Sequence, residues 1–462
     1  MRSSTRRILC LVAVLAAVQP VVGGGAERSP AWIEPYREPA ARLIGEALAS
    51  PFAWQRLSVL TDTIGHRLSG TPALDRAIQW AVAEMTRDGL ENVHTERVMV
   101  PKWVRGSESA EIVRPARQPI VMLGLGDSVG TPAAGVEAEV LVVHSFEELD
   151  AKASAARGRI VLFNIAFTGY GDTVRFRSAG PSHAARLGAV ATLVRSVGPD
   201  GLRLPHTGAL SYAPGAPRIP AAAITSEDAG RLQRMSDRGD TIVVRLKMEA
   251  HMDPDVESAN VVGEIRGREK PDEVVVVSGH LDSWDVGAGA TDDGGGCVVT
   301  WEALRLMKTL HLRPRRTVRV VLWTNEENGG RGGLAYRDRH RAELSNHVLM
   351  LESDGGVFRP LGFGFSGNET ARNAVRTIAT LLSGIAADQI TSGGDGADIA
   401  PSIQEGHIPG MSLEVDGSKY FLIHHTQADT VDKIDPLEMS KCAAAVAVMA
   451  YVVADLPQRL GE

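Results

Sequence analysis

Two kinds of side chain that bind metal ions, histidine and carboxylate, recur directly after short apolar runs of the sequence. The set comprises His280, Asp282, Glu326, Glu327 and Asp354 after three such runs, Asp292 and Asp293 in a glycine-rich segment, and His424, His425 and Asp429 near the end of the chain. So many carboxylates in one crevice would repel one another and raise their own pKa values unless a cation neutralised them. Imidazole mixed with carboxylate suits zinc or a similar transition metal better than magnesium or calcium.

The number of candidate ligands exceeds what one ion needs. Two histidines and three or four acids are too many for one tetrahedral site, but they suit two ions about 3.5–4 Å apart that share a carboxylate. Hydrolysis at such a site also needs a base that takes a proton from the attacking water. The doubled Glu326–Glu327 supplies one side chain for the metal and a neighbour for proton transfer. Each motif alone is typical of an ordinary turn, but together they predict a hydrolase.

Alternating strands and helices must position these residues. From Asn260 onwards, the runs EVVVVSGH, TVRVVLWT, NHVLMLES and GMSLEV predict buried strands, and helices are predicted at about 295–310 and in the closing run MSKCAAAVAVMAYVVADL. This alternation predicts a three-layer α/β/α domain with a mostly parallel central sheet. Sites in such sheets form outside the carboxyl ends of the strands, where the candidate ligands lie.

The composition and the hydrophobic pattern of the sequence change between about residues 120 and 247. Short β-rich runs such as VEAEVLVV and GRIVLFN are separated there by Gly, Pro and Asp, which predicts a small β-rich inserted domain. GLGDSVG, at 124–130, has no helical pattern after it and is interpreted as a turn rather than a phosphate loop. The predicted division is a signal peptide at 1–24, an N-terminal part of the catalytic domain at 25–119, the insert at 120–247 and the catalytic domain at 248–462.

The first residues indicate export. Arg2, Arg6 and Arg7 precede the apolar run 8–18, which is the layout of a secretory signal peptide and is too short to span a bilayer comfortably. An uncleaved anchor is the alternative. We expect a secreted or periplasmic protein with no stable membrane insertion after cleavage. The net charge of −7 gives no basic footprint, which argues against nucleic-acid partners. Cys297 and Cys442 are predicted to be buried free thiols.

The segments GHLDSWDVGAGATDDGGG, LWTNEENGG, LESDGG and HHTQADT resemble the consecutive metal motifs of the M28 zinc peptidases. The resemblance implies two Zn²⁺ ions per chain, one on His280 and Asp354 and the other on Glu327 and His425. It further implies that Asp292 bridges the two ions.

The same resemblance implies the remaining roles. Glu326 would be the general base, and Asp282 would orient His280 from behind. His425 is preferred to His424 as the ligand because the family's histidine lies four residues before the Asp of the ADT segment. In related members a Tyr immediately before that histidine stabilises the oxyanion. Here His424 takes its place, so either His424 or nearby Tyr420 is expected to do this.

The resemblance also implies a function. The insert is similar to a protease-associated domain that caps the cleft, and members of this branch are commonly homodimers. We expect a zinc exopeptidase that hydrolyses dipeptides or short peptides as a dipeptidase or carboxypeptidase. The alternatives are an aminopeptidase, a non-peptide amidohydrolase or glutaminyl cyclase-like enzyme, and an inactive relative that only binds. Asp395 and Asp398 are candidates for binding a substrate amine.

Overall fold

A computed structural model describes residues 30–462, so the predicted signal peptide at 1–24 lies outside the described residues. Its strands are β1 (Glu91–Val104), β2 (Glu108–Arg114), β3 (Gln118–Ile120), β4 (Met122–Gly124), β5 (Val136–Val143), β6 (Ile160–Phe163), β7 (Ala191–Arg195), β8 (Ala221–Ile224), β9 (Val243–Met248), β10 (His251–Ile265), β11 (Lys270–His280), β12 (Arg316–Trp323), β13 (His347–Glu352), β14 (Pro360–Ser366), β15 (Gln389–Ser392) and β16 (Gly410–Val415).

The α-helices lie between and around these strands. They are α1 (Arg37–Ala49), α2 (Phe52–Val59), α3 (Pro72–Arg87), α4 (Phe146–Ala151), α5 (Ala153–Ala156), α6 (Tyr170–Ser178), α7 (Gly180–Arg186), α8 (Ser226–Asp237), α9 (Gly295–Thr309), α10 (Arg331–His340), α11 (Glu369–Ala379), α12 (Ala400–Gly406), α13 (Tyr420–Ile423) and α14 (Pro436–Asp455). The α9 bounds agree with the predicted helix to within one residue. The closing helix begins three residues earlier than its predicted run.

The main sheet has the strand order β1-β10-β12-β11-β13-β16-β14-β15. Its four central strands, β12, β11, β13 and β16, are mutually parallel. The flanking pairs β1–β10, β10–β12 and β14–β16 are antiparallel. The predicted parallel sheet is therefore its central part, and because parallel strands end together, four carboxyl ends meet at one edge.

Alternate residues of the central strands pack against opposite helical layers. Val275 and Val277 face a core that includes residues of α1, α2, α3, α9, α11 and α14. Val274 and Val276 face a smaller core that contains residues of α10 and α12. This period-two alternation between two covered faces explains the continuous apolar runs. The predicted three-layer α/β/α arrangement is confirmed.

A second sheet has the order β3-β2-β9-β5-β6-β7-β8-β4, and we call residues 108–248 the second-sheet unit. It begins earlier than the predicted insert, because β2 and β3 pair with this sheet rather than with the main one. The chain enters and leaves the unit through β1 and β10, which form an antiparallel pair with Val104 opposite His251. The unit thus projects from a two-stranded ribbon of the main sheet.

The closing helix α14 is the one described helix that is long and apolar enough to cross a membrane, and 83% of its most apolar window is buried inside the protein. It packs mainly against α9 and α1. Cys297 and Cys442 are free and buried, as predicted.

Candidate metal centre

The candidate site lies at the carboxyl edge of the central strands. His280, the last residue of β11, is opposite Trp323, the last residue of β12. Ser278 is opposite Glu352, the last residue of β13. Residues that follow these strand ends, including Glu326, Glu327 and Asp354, therefore leave the sheet side by side. The remaining candidates reach the same place on the loop before α9 and the loop after α13.

The structure brings five of the candidate side chains into two groups that share Asp292. In the first group, Nε2 of His280 lies 3.2 Å from Oδ1 of Asp292 and 3.2 Å from Oδ1 of Asp354. In the second, Nε2 of His425 lies 3.1 Å from Oδ2 of Asp292 and 3.1 Å from Oε2 of Glu327. Asp292 thus directs one carboxylate oxygen to each group.

Asp292 is held in this position by Asp429, which is one of the candidate carboxylates, and by Arg67, which was not predicted. Oδ1 of Asp429 accepts hydrogen bonds from the backbone N–H and the hydroxyl of Thr291, both at 2.7 Å, and Oδ2 accepts one from the N–H of Asp292 at 3.2 Å. The buried guanidinium of Arg67 donates to the carbonyls of Leu281, Ala288 and Gly289. These contacts fix the strand end and the glycine-rich loop relative to each other.

Asp282 has different partners from the predicted ones. Nδ1 of His280 bonds to the backbone carbonyl of Asp282 at 3.0 Å, whereas the carboxylate of Asp282 is 3.9 Å from it. That carboxylate accepts the backbone N–H groups of Glu326 at 3.1 Å and of Glu327 at 3.3 Å. Asp282 therefore orients His280 through its main chain, and its side chain positions the doubled glutamates.

His424 and His425 are stacked, with ring centroids 3.6 Å apart. His425 is close to both Asp292 and Glu327, whereas Nε2 of His424 lies 3.5 Å from Asp292 alone. This geometry favours His425 as the ligand. Tyr420 is buried, and its ring centroid lies 5.0 Å from that of His424. Both candidate oxyanion donors thus border the site.

Burial and mutual repulsion shift the protonation of the cluster. Burial raises the pKa of Glu326 well above its ordinary value; His280 opposes this rise, and the charges of Asp354 and Glu327 add to it. Burial and the charge of Asp292 raise the pKa of Glu327 to about 7. Burial alone would lower the pKa of His280, but Asp354 and Asp292 hold it well above its ordinary value. Such a cluster is stabilised by a bound cation.

The donor atoms fit a pair of metal ions. Ligand atoms about 2.0–2.1 Å from zinc at the tetrahedral angle lie about 3.3 Å from one another. The four separations within the two groups are 3.1–3.2 Å. Oδ2 of Asp292 is buried and has no hydrogen-bond partner within residues 30–462, although Nε2 of His425 is near. Both atoms therefore remain free to bind a common cation.

Aromatic side chains of the second-sheet unit continue the site outwards. The ring of Tyr170 stacks on Phe421 at 5.2 Å and meets His424 edge-on at the same centroid distance. Phe167 lies 5.6 Å from Phe421. Tyr170, Phe167 and Phe421 are partly exposed, whereas His424 is buried. Rings from the second-sheet unit and from α13 thus lie beside His424, next to the candidate metal ligands.

The two acidic residues of the loop before α12 differ in their exposure to solvent. Asp395 is exposed, whereas Asp398 is 1% exposed, and neither of its carboxylate oxygens has a hydrogen-bond partner among the described residues. Asp395 is therefore the more accessible of the two candidates for binding a substrate amine.

Comparison with known proteins gives the class. The sequence profile of Peptidase family M28 matches residues 260–450. Carboxypeptidase Q from Mus musculus is 48% identical over 428 residues, which are 92% of this chain and 91% of that protein. The chain belongs to peptidase family M28, and the prediction of a metallo-exopeptidase is confirmed.

Within that family, the particular protein that this chain resembles is carboxypeptidase Q. The Homo sapiens protein of that name is 49% identical over 408 residues, 88% of this chain and 86% of that protein. The crystal structure of a peptidase M28 precursor from Shewanella amazonensis SB2B superposes with a TM-score of 0.90 at 34% identity and covers 93% of this chain and 99% of that one. A zinc aminopeptidase from Bacillus subtilis shares the fold, with a TM-score of 0.67 at 21% identity. The superposition covers 88% of this chain and 98% of the aminopeptidase chain.

Proposed function

We propose that the protein is a binuclear zinc exopeptidase that hydrolyses dipeptides or short peptides in the manner of a carboxypeptidase or dipeptidase. The observation that carries the proposal is the sharing of Asp292 between two groups of donor atoms, one on each carboxylate oxygen. A single ion would use only one group. The identity to carboxypeptidase Q over most of both chains supports action on peptides with a free carboxyl end.

The proposed ligands follow the two groups. His280 and Asp354 would hold one zinc ion, His425 and Glu327 would hold the other, and Asp292 would offer one carboxylate oxygen to each. Zinc, when bound, polarises a carbonyl oxygen and lowers the pKa of a coordinated water. The histidines present Nε2 to the site, because Nδ1 of each ring bonds to a backbone carbonyl.

Glu326 is the proposed general base. Its carboxylate takes a proton from the attacking water and returns it to the nitrogen of the leaving amine, so that the peptide bond is exchanged for a carboxylate and an amine. Asp282 fixes the backbone of Glu326, which limits how far that carboxylate can move. His424, which stacks on His425, is the proposed hydrogen-bond donor to the developing oxyanion, and Tyr420 is the alternative donor.

The second-sheet unit acts as a cap that shapes the substrate pocket. This proposal is supported by Tyr170 and Phe167, which place rings from the unit beside Phe421 and His424. Export, based on the arginines and apolar run of residues 1–24, and homodimer formation, based on the family resemblance, stay predictions.

Metal analysis of the pure protein, together with mass spectrometry of the products from an unlabelled peptide mixture, tests the function. We expect two zinc ions per chain and release of free amino acids from dipeptides or from carboxyl ends. Fully active protein with fewer than two metals per chain would contradict the binuclear site. Release from amino ends only would indicate an aminopeptidase. Amide hydrolysis or glutamine cyclisation without peptide cleavage would indicate the amidohydrolase or cyclase-like alternative.

Replacing Glu326 with Gln tests the base directly. The variant keeps the size and the partly buried position of the side chain but cannot accept the proton, so we expect kcat to fall by about 100- to 10,000-fold. Zinc content should stay at the parent value, because Glu326 is not among the proposed ligands. Glu343→Gln, at an exposed glutamate before β13, is the matched control. Near-normal hydrolysis by Glu326→Gln would show that Glu326 is not the general base.

A further inference from the structure

A backbone segment of the second-sheet unit is bonded directly to His425. The N–H of Thr207 donates to the carbonyl of His425 at 3.0 Å, and Nδ1 of the His425 ring lies 3.3 Å from the carbonyl oxygen of Thr207. Thr207 is fully buried. One residue of the unit thus holds both the main chain and the side chain of His425.

This contact determines which ring nitrogen of His425 faces the site. A backbone carbonyl can only accept a hydrogen bond, so Nδ1 must carry the proton and Nε2 keeps its lone pair. Nε2 is the atom that lies 3.1 Å from both Asp292 and Glu327. His425 also has a left-handed backbone, with φ of 59°, which favours glycine and needs support from its surroundings. The reciprocal bonds with Thr207 provide that support.

Thr207 is itself fixed by residues of the second-sheet unit and by Arg105, which lies just before the unit. Its hydroxyl donates to the carbonyl of Gly124 at 2.8 Å and accepts a bond from Arg105 at 3.3 Å. Its carbonyl accepts a second hydrogen bond, from Nη1 of Arg177 at 3.2 Å. A carbonyl oxygen has two lone pairs, so Arg177 and His425 can bind it together. The Thr207 carbonyl is therefore held at a defined angle to the His425 ring.

The burial of the Arg177 side chain is unfavourable in free energy. Arg177 is 6% exposed, and its other hydrogen bond goes to the hydroxyl of Tyr170 at 2.8 Å. Both acceptors are neutral, so neither supplies a counter-charge that would offset the free-energy cost of burying the guanidinium. The neighbouring position 208 is glycine, where a Cβ would lie 2.3 Å from Cζ of Arg177. The segment at 207–208 therefore closely fits the guanidinium.

We infer that Thr207 and Arg177 are positioning residues for the metal centre, and that the second-sheet unit is part of that centre rather than a detached lid. The inference rests on the proposed function, in which His425 is a zinc ligand. Through Thr207, the unit sets the tautomer and the ring orientation of His425, and Arg177 keeps the accepting carbonyl in place. Partners of this kind typically change metal affinity by 10- to 100-fold when they are lost.

Zinc affinity of Arg177→Met, measured by chelator competition on the full-length protein, tests the inference. The change removes both guanidinium hydrogen bonds but keeps an apolar side chain of similar length. We expect one of the two ions to bind about tenfold more weakly, and kcat at sub-saturating zinc to fall while KM changes little. Arg175→Met, on the same helix but exposed, is the matched control and should stay within twofold.

Three further variants make each outcome decisive. Tyr170→Phe removes only the other partner of Arg177, so an affinity loss as large as that of Arg177→Met would overturn the route through Thr207. Where Arg177→Met fails to fold, Thr207→Val, which loses the anchor to Gly124, takes its place with the same expected direction. His425→Ala should lose one ion. If it keeps both, the proposed ligands are wrong; if it loses one while Arg177→Met binds zinc normally, only this inference is wrong.

Discussion

Asp429→Asn is the substitution that best tests how the bridging carboxylate is held. Asn can keep its carbonyl oxygen towards Thr291, whose N–H and hydroxyl both bind Oδ1 at 2.7 Å. Its amide group must then face the N–H of Asp292, which Oδ2 now accepts at 3.2 Å. The substitution therefore removes the hydrogen bond from the N–H of Asp292 to a charged carboxylate, and it brings two N–H donors face to face. Each bond of this kind contributes about 1.5–3 kcal/mol, so we expect the free energy of unfolding to fall by about 2 kcal/mol.

The effect on the metal centre should exceed the effect on stability. Freed from Asp429, the loop that carries Asp292 can rotate, and loss of such a supporting partner lowers metal affinity or activity by about 10- to 100-fold. Zinc competition, kcat for a dipeptide and urea unfolding at pH 7 measure the three quantities. Asp432→Asn, three residues further on and exposed, is the control. If Asp429→Asn kept both zinc affinity and kcat within twofold of the parent, Asp429 would not position Asp292.

Two further predictions concern histidines. His424→Ala should retain two zinc ions but lower kcat by about 100-fold if His424 is the oxyanion donor; a parent-like kcat would transfer that role to Tyr420. Burial lowers the pKa of His347 to about 4, while Tyr336 and the carbonyl of Glu343 bond its two ring nitrogens. The unfolded chain, with an ordinary histidine pKa of about 6.5, therefore takes up a proton first, and stability falls by about 3 kcal/mol as the pH drops from about 6.5 to 4. Urea unfolding of the parent and His347→Gln across this range measures it, and a pH-independent difference between them would contradict it.

The strand ends could be predicted because their cause is local. A run such as EVVVVSGH is apolar on both faces only where helices cover both, and the polar residue that ends it must lie at the sheet edge. This reasoning predicted His280, Glu327 and Asp354 at that edge, and the resemblance of their motifs assigned them to metal ions. The choice of His425 over its neighbour depended on spacing, and the structure adds the contacts to Asp292 and Glu327 that favour it.

The supporting residues could not be predicted in the same way, because their partners are distant in sequence and are mostly backbone atoms. Arg67 bonds to carbonyls more than 200 residues away, and Thr207 meets His425 across a similar separation. Asp429 stood next to the HHTQ segment in the sequence, but its hydrogen-bond donors, the N–H groups of Thr291 and Asp292, could not be identified there. The early start of the second-sheet unit was missed because β2 reads ESAEIVR, an amphipathic strand whose polar residues resemble a linker.

The two sheets are joined through one pair of strands. The second-sheet unit begins and ends on the paired strands β1 and β10, with Val104 opposite His251, and it contributes no strand to the main sheet. By sheet topology alone the unit could be an optional addition. The contacts at the site argue otherwise, because Thr207 bonds to His425 and Asn328 reaches Asp127 of the unit. A chain that lost the unit would keep all five proposed ligands, yet His425 would lose the partner that orients its ring. The complete set of metal motifs is therefore not sufficient for the site, which needs both sheets.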